Sequence, residues 1–400
     1  MIHFGQDSEP EPESAPHWLN RERLTAYPRI CLVVLLLTAV VWVAISENGI
    51  DAQGKPLGYD FITFWGASHL ALEGNAVGAY DPATILGAER LAVPENTKMF
   101  LWHYPPTFYL VILPLALLPY GLAFLLFVGA SFAGYLAVIR RIVSLPGTWM
   151  PLVAFPGVLI NLFHGQNAFL TAALMGGALL LLPLRPMLAG VLIGLLTIKP
   201  HLGILLPLVL LATGQWRALL CAALTTGLFL LISIAVMGQD TLAAFWHNLP
   251  LVRQVLEEGL LSWDKMPTFF AFSRLLGAPI WAAYFLHLLV AVAAAACVLW
   301  VWLKTPLPNL RNAALVTGTL LISPYLFDYD LAWLGLSIAW LGLEGYRKGW
   351  LKGEREILAV AWLLPLLMAP IVGLSHIQIA PFVLVGLLGV IVRRVNYNGA

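Results

Sequence analysis

A few polar residues interrupt a chain that is otherwise strongly apolar, and two of them carry opposite charges suited to group transfer. Asp60 follows Gly58 and Tyr59 in the first long polar stretch, and Lys199 stands between two apolar runs. A carboxylate of this kind serves as a general base that takes the proton of an attacking hydroxyl group. An ammonium group among apolar residues is costly without an anionic partner, for which a phosphate is a natural candidate. Asp60 and Lys199 are therefore the first candidates for a general base and for a cation that binds a phosphate.

Other polar clusters occur at the ends of apolar runs. Their hydroxyl, amide and imidazole groups suit recognition of substrate hydroxyl groups, while His201 and Arg274 add positive charge that would bind a phosphate beside Lys199. The predicted substrate-binding residues are Tyr59, His103, Tyr104, His164, Gln166, Asn167, Asp328, Tyr329 and Asp330. Asp328 and Asp330 stand two positions apart, so at most one of them faces a common chamber.

Several of these residues have a purely structural interpretation as well. Asp60 is also placed to cap the helix that follows it. Lys199 would equally well pair with a loop acid such as Asp328, and residues 164–167 also fit a simple turn between helices. Asp81 precedes a proline, which indicates a helix N-cap rather than a site.

The composition indicates an all-α polytopic membrane protein. Of the 400 residues, 60% are hydrophobic and 11% are charged, too few charges to wet the surface of a soluble domain. A net charge of +1 gives no indication of nucleic-acid binding, and the three cysteines lie in apolar runs, as core residues do. No paired His or Cys spacing, phosphate-cradling glycine loop or nucleotide fingerprint occurs. We therefore expect neither a metal ion nor a cofactor.

The distribution of charge predicts the topology. Residues 1–28 are expected to form a disordered cytoplasmic tail, and residues 29–400 one transmembrane domain of about twelve spans. Its first extracytoplasmic loop would be 46–104, with surface helices such as 61–72, and its second 238–277. The short run 105–119 contains Pro114 and either spans the membrane or re-enters it. If it does not cross, about twice as many Lys and Arg residues lie in the cytoplasm as outside.

Short apolar runs flank residues 199–201, and neither alone is long enough to cover a bilayer. Short, proline-broken helices at membrane depth usually line a cavity. We expect a recessed polar chamber that opens to the extracytoplasmic side.

Taken in order, the clusters resemble glycosyltransferase family 87. The residues that carry the resemblance are Asp60-Phe61-x-x-Phe64-Trp65-x-Ala67, Gly74 to Tyr80-Asp81, Tyr104-Pro105-Pro106-x-Phe108, Pro114-Leu115-Ala116-x-Leu118-Pro119, Gly165-Gln166-Asn167, Lys199-Pro200-His201 and Ser323-Pro324. The resemblance implies a GT-C fold and a polyprenyl-phosphate sugar donor. It also implies that Asp60 matches the first-loop acid expected to be the base. The chain departs from its relatives after Ser323-Pro324, where they often carry histidines and this chain has Tyr329-Asp330.

The resemblance implies inverting transfer of a sugar, mannose or arabinofuranose, to a lipid or glycan acceptor outside the plasma membrane of a bacterium. Membrane lipids would be further partners. A lipid or solute transporter or flippase is the alternative, since it also places charged groups and short helices at mid-membrane. A polysaccharide polymerase or ligase is a third, although more arginines would be expected in its outer loops. Against a transporter stand the large first loop and the absence of an inverted repeat.

Overall fold

The computed structural model describes residues 17–144 and 149–399, and these form α-helices and short 3₁₀ turns without any β-strand. Residues 1–16 of the expected disordered tail lie outside the described residues, and the first helix begins at Arg21, before the expected start of the span at residue 29. The α-helices in chain order are α1 (Arg21–Ala44), α2 (Phe61–Leu72), α3 (Pro82–Ala92), α4 (Pro106–Ile112), α5 (Tyr120–Ile142), α6 (Trp149–Val153), α7 (Pro156–His164), α8 (Ala168–Leu181), α9 (Pro186–Leu195), α10 (Leu205–Ala212), α11 (Trp216–Met237), α12 (Gln239–Glu257), α13 (Phe269–Leu275), α14 (Ile280–Lys304), α15 (Pro308–Ile322), α16 (Leu334–Lys348), α17 (Glu354–Ser375) and α18 (Ala380–Gly399).

Six of the described helices are long and apolar enough to cross a membrane: α1, α5, α11, α14, α17 and α18. The chain is therefore a polytopic membrane protein, although the expected count of about twelve spans is not confirmed. Several of the other expected spans form shorter helices, such as α7 with 9 residues and α10 with 8. At 1.5 Å of rise per residue, such helices cover only about half of a bilayer core of ~30 Å.

The run 105–119 is broken in the middle. Helix α4 has 7 residues, and after Pro114 the chain continues as a 3₁₀ turn, Leu115–Leu117. The side chain of Ser68 satisfies two backbone groups at this break. Its hydroxyl donates to the carbonyl of Leu113 at 2.9 Å and accepts from the N–H of Ala116 at 3.0 Å. This geometry favours a re-entrant segment over a span, because protein groups satisfy the interrupted backbone.

Helix α2 occurs as expected, but the expectation that it lies on the membrane surface is wrong. Nine of its twelve residues are buried, among them Phe61, Phe64 and Trp65. The ring of Phe64 packs edge-on against Phe108 of α4, with centroids 5.1 Å apart. An apolar surface this wide is stable when protein covers it on several sides. Helix α2 is therefore a buried core element within the first loop.

Helix α3 begins as the sequence predicts. Asp81 accepts a hydrogen bond from the N–H of Thr84 at 2.8 Å, and Pro82 occupies the first turn. The expected N-cap role of Asp81 is confirmed.

Close contacts between α9 and α11 and a buried ion pair between α17 and α18 stabilise the packing of these helices. Gly190 and Gly194 of α9 face α11, where an added Cβ would lie 2.4 Å from the carbonyl oxygen of Ala218 and 2.5 Å from Thr225 Cβ, respectively. Small residues thus let the two helices approach closely, as is common in membranes. Arg394 of α18 donates to the carboxylate of Glu354 in α17 through both Nε and Nη2, and both side chains are buried.

The second loop packs on the first. The side-chain amide of Asn248 in α12 donates to the carbonyl of Trp102 at 3.0 Å, and the ring of Phe245 lies 6.4 Å from that of Tyr80. The two loops therefore contact each other directly.

The pH dependence of the free energy of unfolding should show the effect of burying the carboxyl group of Glu89 in α3. Its side chain is fully buried, Oε2 accepts from Asn96 at 3.2 Å, and Oε1 has no partner among the described residues. Burial raises the pKa of Glu89 to about 9 from 4.5. The folded state keeps a proton on Glu89 that the unfolded state releases. The contribution of Glu89 to the free energy of unfolding is therefore fully present below about pH 4.5 and is lost as the pH rises towards 9.

Replacing Glu89 by Gln should therefore raise the melting temperature at pH 8 by about 2–5 °C and change it little at pH 4.5. Thermal unfolding in detergent over this pH range measures the effect. Glu47→Gln, an exposed change in the same loop, serves as the control. Equal pH slopes for wild type and Glu89→Gln would show that Glu89 is ionised when buried.

Candidate active site

Asp60 lies at the end of a strained turn. Gly58 has φ +87°, which glycine adopts without penalty, but Tyr59 has φ +38°, a region that residues with a side chain rarely occupy. Asp60 itself occupies the N-cap position of α2, yet its side chain makes no capping hydrogen bond. The turn therefore directs the partly buried carboxylate away from its own helix, and the structural alternative of a capping Asp60 does not apply.

The carboxylate of Asp60 is held from another helix. Gln166, after α7, donates from Nε2 to Asp60 Oδ2 at 2.9 Å. The amide cannot flip easily, because Gln166 Oε1 accepts from the hydroxyl of Tyr104 at 2.9 Å and from the N–H of Asn167 at 3.2 Å. Tyr104 and Gln166, two residues expected to bind substrate, thus orient Asp60 in this structure.

A glycine contact makes this hydrogen bond possible. Gly165 ends α7 in the left-handed conformation, with φ +59°. A Cβ at Gly165 would lie 2.6 Å from Phe61 Cβ and 2.9 Å from the carbonyl oxygen of Gly58. The backbone that carries Gln166 therefore reaches the Asp60 turn only because residue 165 has no side chain.

Asp51 fixes Tyr59 from the other side. Its Oδ2 accepts from the hydroxyl of Tyr59 at 2.7 Å and from Nε1 of Trp42 in α1 at 3.1 Å. Burial would raise the pKa of Asp51, but hydrogen bonds from the N–H of Lys55 and from the side chains of Tyr59 and Trp42 bring it below its ordinary value. An ionised Asp51 thereby connects α1 to the turn that holds Asp60.

Lys199 is paired in the structure. Its ammonium group donates to Asp330 Oδ1 at 2.5 Å, and the side chains are 5% and 1% exposed. The ring of Tyr329 lies 5.0 Å from the ammonium nitrogen. The expected alternative of a salt bridge to a loop acid is correct, with Asp330 in place of Asp328.

The ring of His164 contacts both Tyr59, which precedes Asp60, and Tyr329, whose ring lies near the ammonium group of Lys199. The His164 ring is 5.3 Å from the ring of Tyr59 and 5.5 Å from that of Tyr329. His164 Nδ1 lies 2.9 Å from the carbonyl oxygen of Ile160, which only accepts, so Nδ1 carries a proton. We call Asp60, Tyr104, His164, Gln166, Lys199, Tyr329 and Asp330 the central cluster.

Asp328 lies beside this cluster. Burial raises its pKa, the charges of His164 and Lys265 lower it, and the charge of Asp60 raises it further. Asp328 Oδ1 accepts from the N–H of Tyr329 at 2.9 Å, which stabilises the 3₁₀ turn that also holds Asp330.

Two of the expected site residues, Arg274 and His103, contact protein groups in this structure. Arg274 donates to the carbonyls of Ala278 and Glu257, at 2.7 and 3.2 Å, so its guanidinium group braces the second loop. His103 contacts the amide of Asn248 at 3.4 Å, and burial lowers the pKa of this histidine to about 4, which keeps it neutral.

His201 stands against the ring of Tyr325 at 6.2 Å, with a buried Nε2 that has no partner among the described residues. Asn167 is fully buried, and neither side-chain amide atom has a partner in the described part of the chain. Asn161 in α7 is in the same state and was missed, although an asparagine inside an apolar run is a visible signal. No group of three His, Cys, Asp or Glu residues within 17–144 and 149–399 is arranged to hold a metal ion.

Breaking the buried pair should destabilise the fold. Lys199→Met leaves the Asp330 carboxylate buried without its partner, which should lower the free energy of unfolding by about 3–5 kcal/mol. The double variant Lys199→Met/Asp330→Asn should recover much of that loss. Thermal unfolding in detergent measures both. A Lys199→Met variant as stable as the wild type would contradict the assignment of Asp330 as its main partner.

The sequence model of Glycosyltransferase family 87 matches residues 102–324, more than half of the chain, and covers Tyr104, Gln166 and Lys199. No curated protein and no solved structure matches the sequence. The chain thus belongs to glycosyltransferase family 87 and is a membrane glycosyltransferase.

Proposed function

We propose that the protein transfers a sugar from a polyprenyl-phosphate donor to a lipid or glycan acceptor, with Asp60 as the general base. The observation that carries this proposal is the hydrogen bond from Gln166 to Asp60, which holds a carboxylate away from its own helix and beside the other polar groups of the central cluster. A carboxylate used only as a helix cap would bond its own backbone.

The two oxygens of Asp60 have different surroundings. Oδ2 accepts from Gln166, whereas Oδ1 accepts no hydrogen bond from the residues that the structure describes. Oδ1 is thus the atom that would take the proton of the acceptor hydroxyl group as this group attacks the anomeric carbon. The polyprenyl phosphate leaves on the opposite face, and the configuration at the anomeric carbon is inverted.

One carboxylate suffices for this reaction. A glycosidase needs an acid to protonate its leaving group, but a phosphate departs without protonation where positive charge meets it. We propose Lys199, His201 and Arg274 as the residues that supply this positive charge. Without a bound donor, Lys199 is paired with Asp330 and Arg274 donates to backbone carbonyls, so the phosphate would replace contacts that these side chains make within the protein.

The remaining features of the proposal follow from the resemblance and the charge pattern. We propose mannose or arabinofuranose as the sugar and the plasma membrane of a bacterium as the location. Residues 29–400 would form one transmembrane domain of the GT-C type, whose loops 46–104 and 238–277 face the extracytoplasmic side together with Asp60. Tyr59, His103, His164, Asn167, Asp328 and Tyr329 are proposed as substrate contacts.

Asp60→Asn tests the base. The amide keeps the size of the side chain but no longer takes a proton, so turnover should fall by about 10²–10⁴-fold. Purified protein with a radiolabelled polyprenyl-phosphate sugar and membrane lipid extract gives the rate, and binding of the unlabelled donor should remain largely intact. Asp81→Asn, the same change at the exposed cap of α3, should leave the rate unchanged. Near-normal turnover by Asp60→Asn would remove the assignment.

Gln166→Leu tests the positioning of the base. Without the amide donor, Asp60 loses its fixed orientation, so kcat should fall at least tenfold while KM for the donor changes less. Gln254→Leu on the exposed face of α12 is the matched control. A raised KM with unchanged kcat would instead show that Gln166 binds substrate.

A further inference from the structure

We propose that Thr107 is a positioning residue for the donor phosphate, because its hydroxyl group holds the backbone turn from which Lys199 extends. The inference rests on the proposed function for the role of Lys199 as a cation that meets the phosphate. Thr107 occupies the open position after Tyr104-Pro105-Pro106, and a threonine beside apolar residues carries no signal of this role in the sequence.

A hydrogen bond joins Thr107 to the segment that precedes Lys199. Thr107 lies in the first turn of α4, and its side chain is 2% exposed. Its Oγ1 donates to the carbonyl oxygen of Thr197 at 3.1 Å, across 90 positions of sequence. Helix α4 is therefore bonded to the backbone two residues before Lys199.

The carbonyl of Thr197 needs such a donor from outside its own turn. Helix α9 ends at Leu195 and continues as the 3₁₀ turn Leu196–Ile198. In a 3₁₀ turn the carbonyl of Thr197 would accept from the N–H of residue 200, but this residue is a proline and has no N–H. Because backbone carbonyls in the protein interior require a partner, the Thr107 hydroxyl takes the place of the missing donor.

The backbone on both sides of Lys199 is fixed in the same way. The N–H of Lys199 donates to the carbonyl of Leu196 at 2.9 Å, and the carbonyl of Lys199 accepts from the N–H of Leu202 at 3.1 Å. We call residues 196–203, which form two 3₁₀ turns around Lys199, the lysine turn. The direction of the Lys199 side chain follows from this turn, and Thr107 is its contact with α4.

The segment that holds the lysine turn also holds the base. Tyr104, three residues before Thr107, donates from its hydroxyl to Gln166 Oε1 at 2.9 Å, and Gln166 in turn donates to Asp60. One hydroxyl of the segment therefore acts on the carboxylate and the other on the cation. We infer that this segment sets the position of Lys199 relative to Asp60.

The segment is fixed to α2, the helix that begins directly after Asp60. Nε1 of Trp65 donates to the carbonyl of Leu118 at 3.0 Å, and the hydroxyl of Ser68 bonds the backbone on both sides of the break in 105–119. Because α2 holds the segment at these points, the Thr107 hydroxyl restrains the lysine turn rather than moving with it.

A displaced lysine turn should weaken the contact with the phosphate. A cation contributes to binding and to departure of the phosphate only when it lies close to the phosphate oxygens. Loss of one neutral hydrogen bond has a small free-energy effect, which corresponds to about a fivefold change in affinity. The expected effect of removing the hydroxyl is therefore a moderate loss of phosphate binding in a protein that still folds.

The binding experiment needs no turnover and no knowledge of the sugar. Full-length protein in nanodiscs of neutral lipid is titrated with polyprenyl phosphate, and bound lipid is quantified by native mass spectrometry. Thr107→Val has the shape of threonine but no hydroxyl and should weaken binding about fivefold. Thr107→Ser should bind as the wild type does. Thr213→Val is the matched control, because the Thr213 hydroxyl bonds only the carbonyl of Val209 in its own helix, at 2.7 Å.

Turnover with a labelled polyprenyl-phosphate sugar separates the two hydroxyl groups of the segment. Thr107→Val should raise KM for the donor about fivefold and change kcat less. Tyr104→Phe should mainly lower kcat, because its hydroxyl holds Gln166. Thr107→Ala, which also lacks the hydroxyl, gives the same comparison if Thr107→Val does not fold, and thermal unfolding monitors each variant.

The Lys199→Met/Asp330→Asn variant distinguishes failure of this inference from failure of the proposed function. Weak binding of polyprenyl phosphate by this variant, together with wild-type binding by Thr107→Val, would overturn the role of Thr107 and leave Lys199 as the cation. Unchanged binding by both variants would overturn the inference together with the proposed role of Lys199. Equal losses in Thr107→Ser and Thr107→Val would show that the hydroxyl group is not what holds the lysine turn.

Discussion

The hydrogen bond between Gln166 and Asp60 joins two residues that are 106 positions apart in the sequence. Asp60 belongs to the first loop, and Gln166 follows α7 in the helical part of the molecule. The contact of Gly165 with Gly58 and Phe61 brings them together, and Tyr104 then fixes the amide so that it donates rather than accepts. A carboxylate held in this way keeps one oxygen for a proton transfer.

Two ion pairs are almost completely buried: Lys199 with Asp330 in the central cluster, and Arg394 with Glu354 where α17 meets α18. Removing one partner of such a pair destabilises the fold, because it leaves an isolated charge in a medium of low dielectric constant.

Local signals were read correctly from the sequence, and distant contacts were not. The cap at Asp81 and the helix after Asp60 depend on adjacent residues, so the pattern alone predicts them. The burial of α2 depends on α4 and α5, which cover the face expected to meet the membrane surface.

The identity of Lys199's partner could not be predicted, because a shift of two residues decides between Asp328 and Asp330 in the 3₁₀ turn. Asp51 has no local sign of its role, since its partners Trp42 and Tyr59 meet only after folding. The motif Gly165-Gln166-Asn167 was found from the sequence, yet its positioning function became visible only when Asp60 was seen beside it.

The most direct test of the account is a structure of the protein with a non-hydrolysable polyprenyl-phosphate sugar bound. The account predicts that Gln166 still donates to Asp60 Oδ2 and that Oδ1 faces the side of the anomeric carbon opposite the phosphate. A donor whose anomeric carbon lies out of reach of a water or hydroxyl group bonded to Asp60 would contradict it.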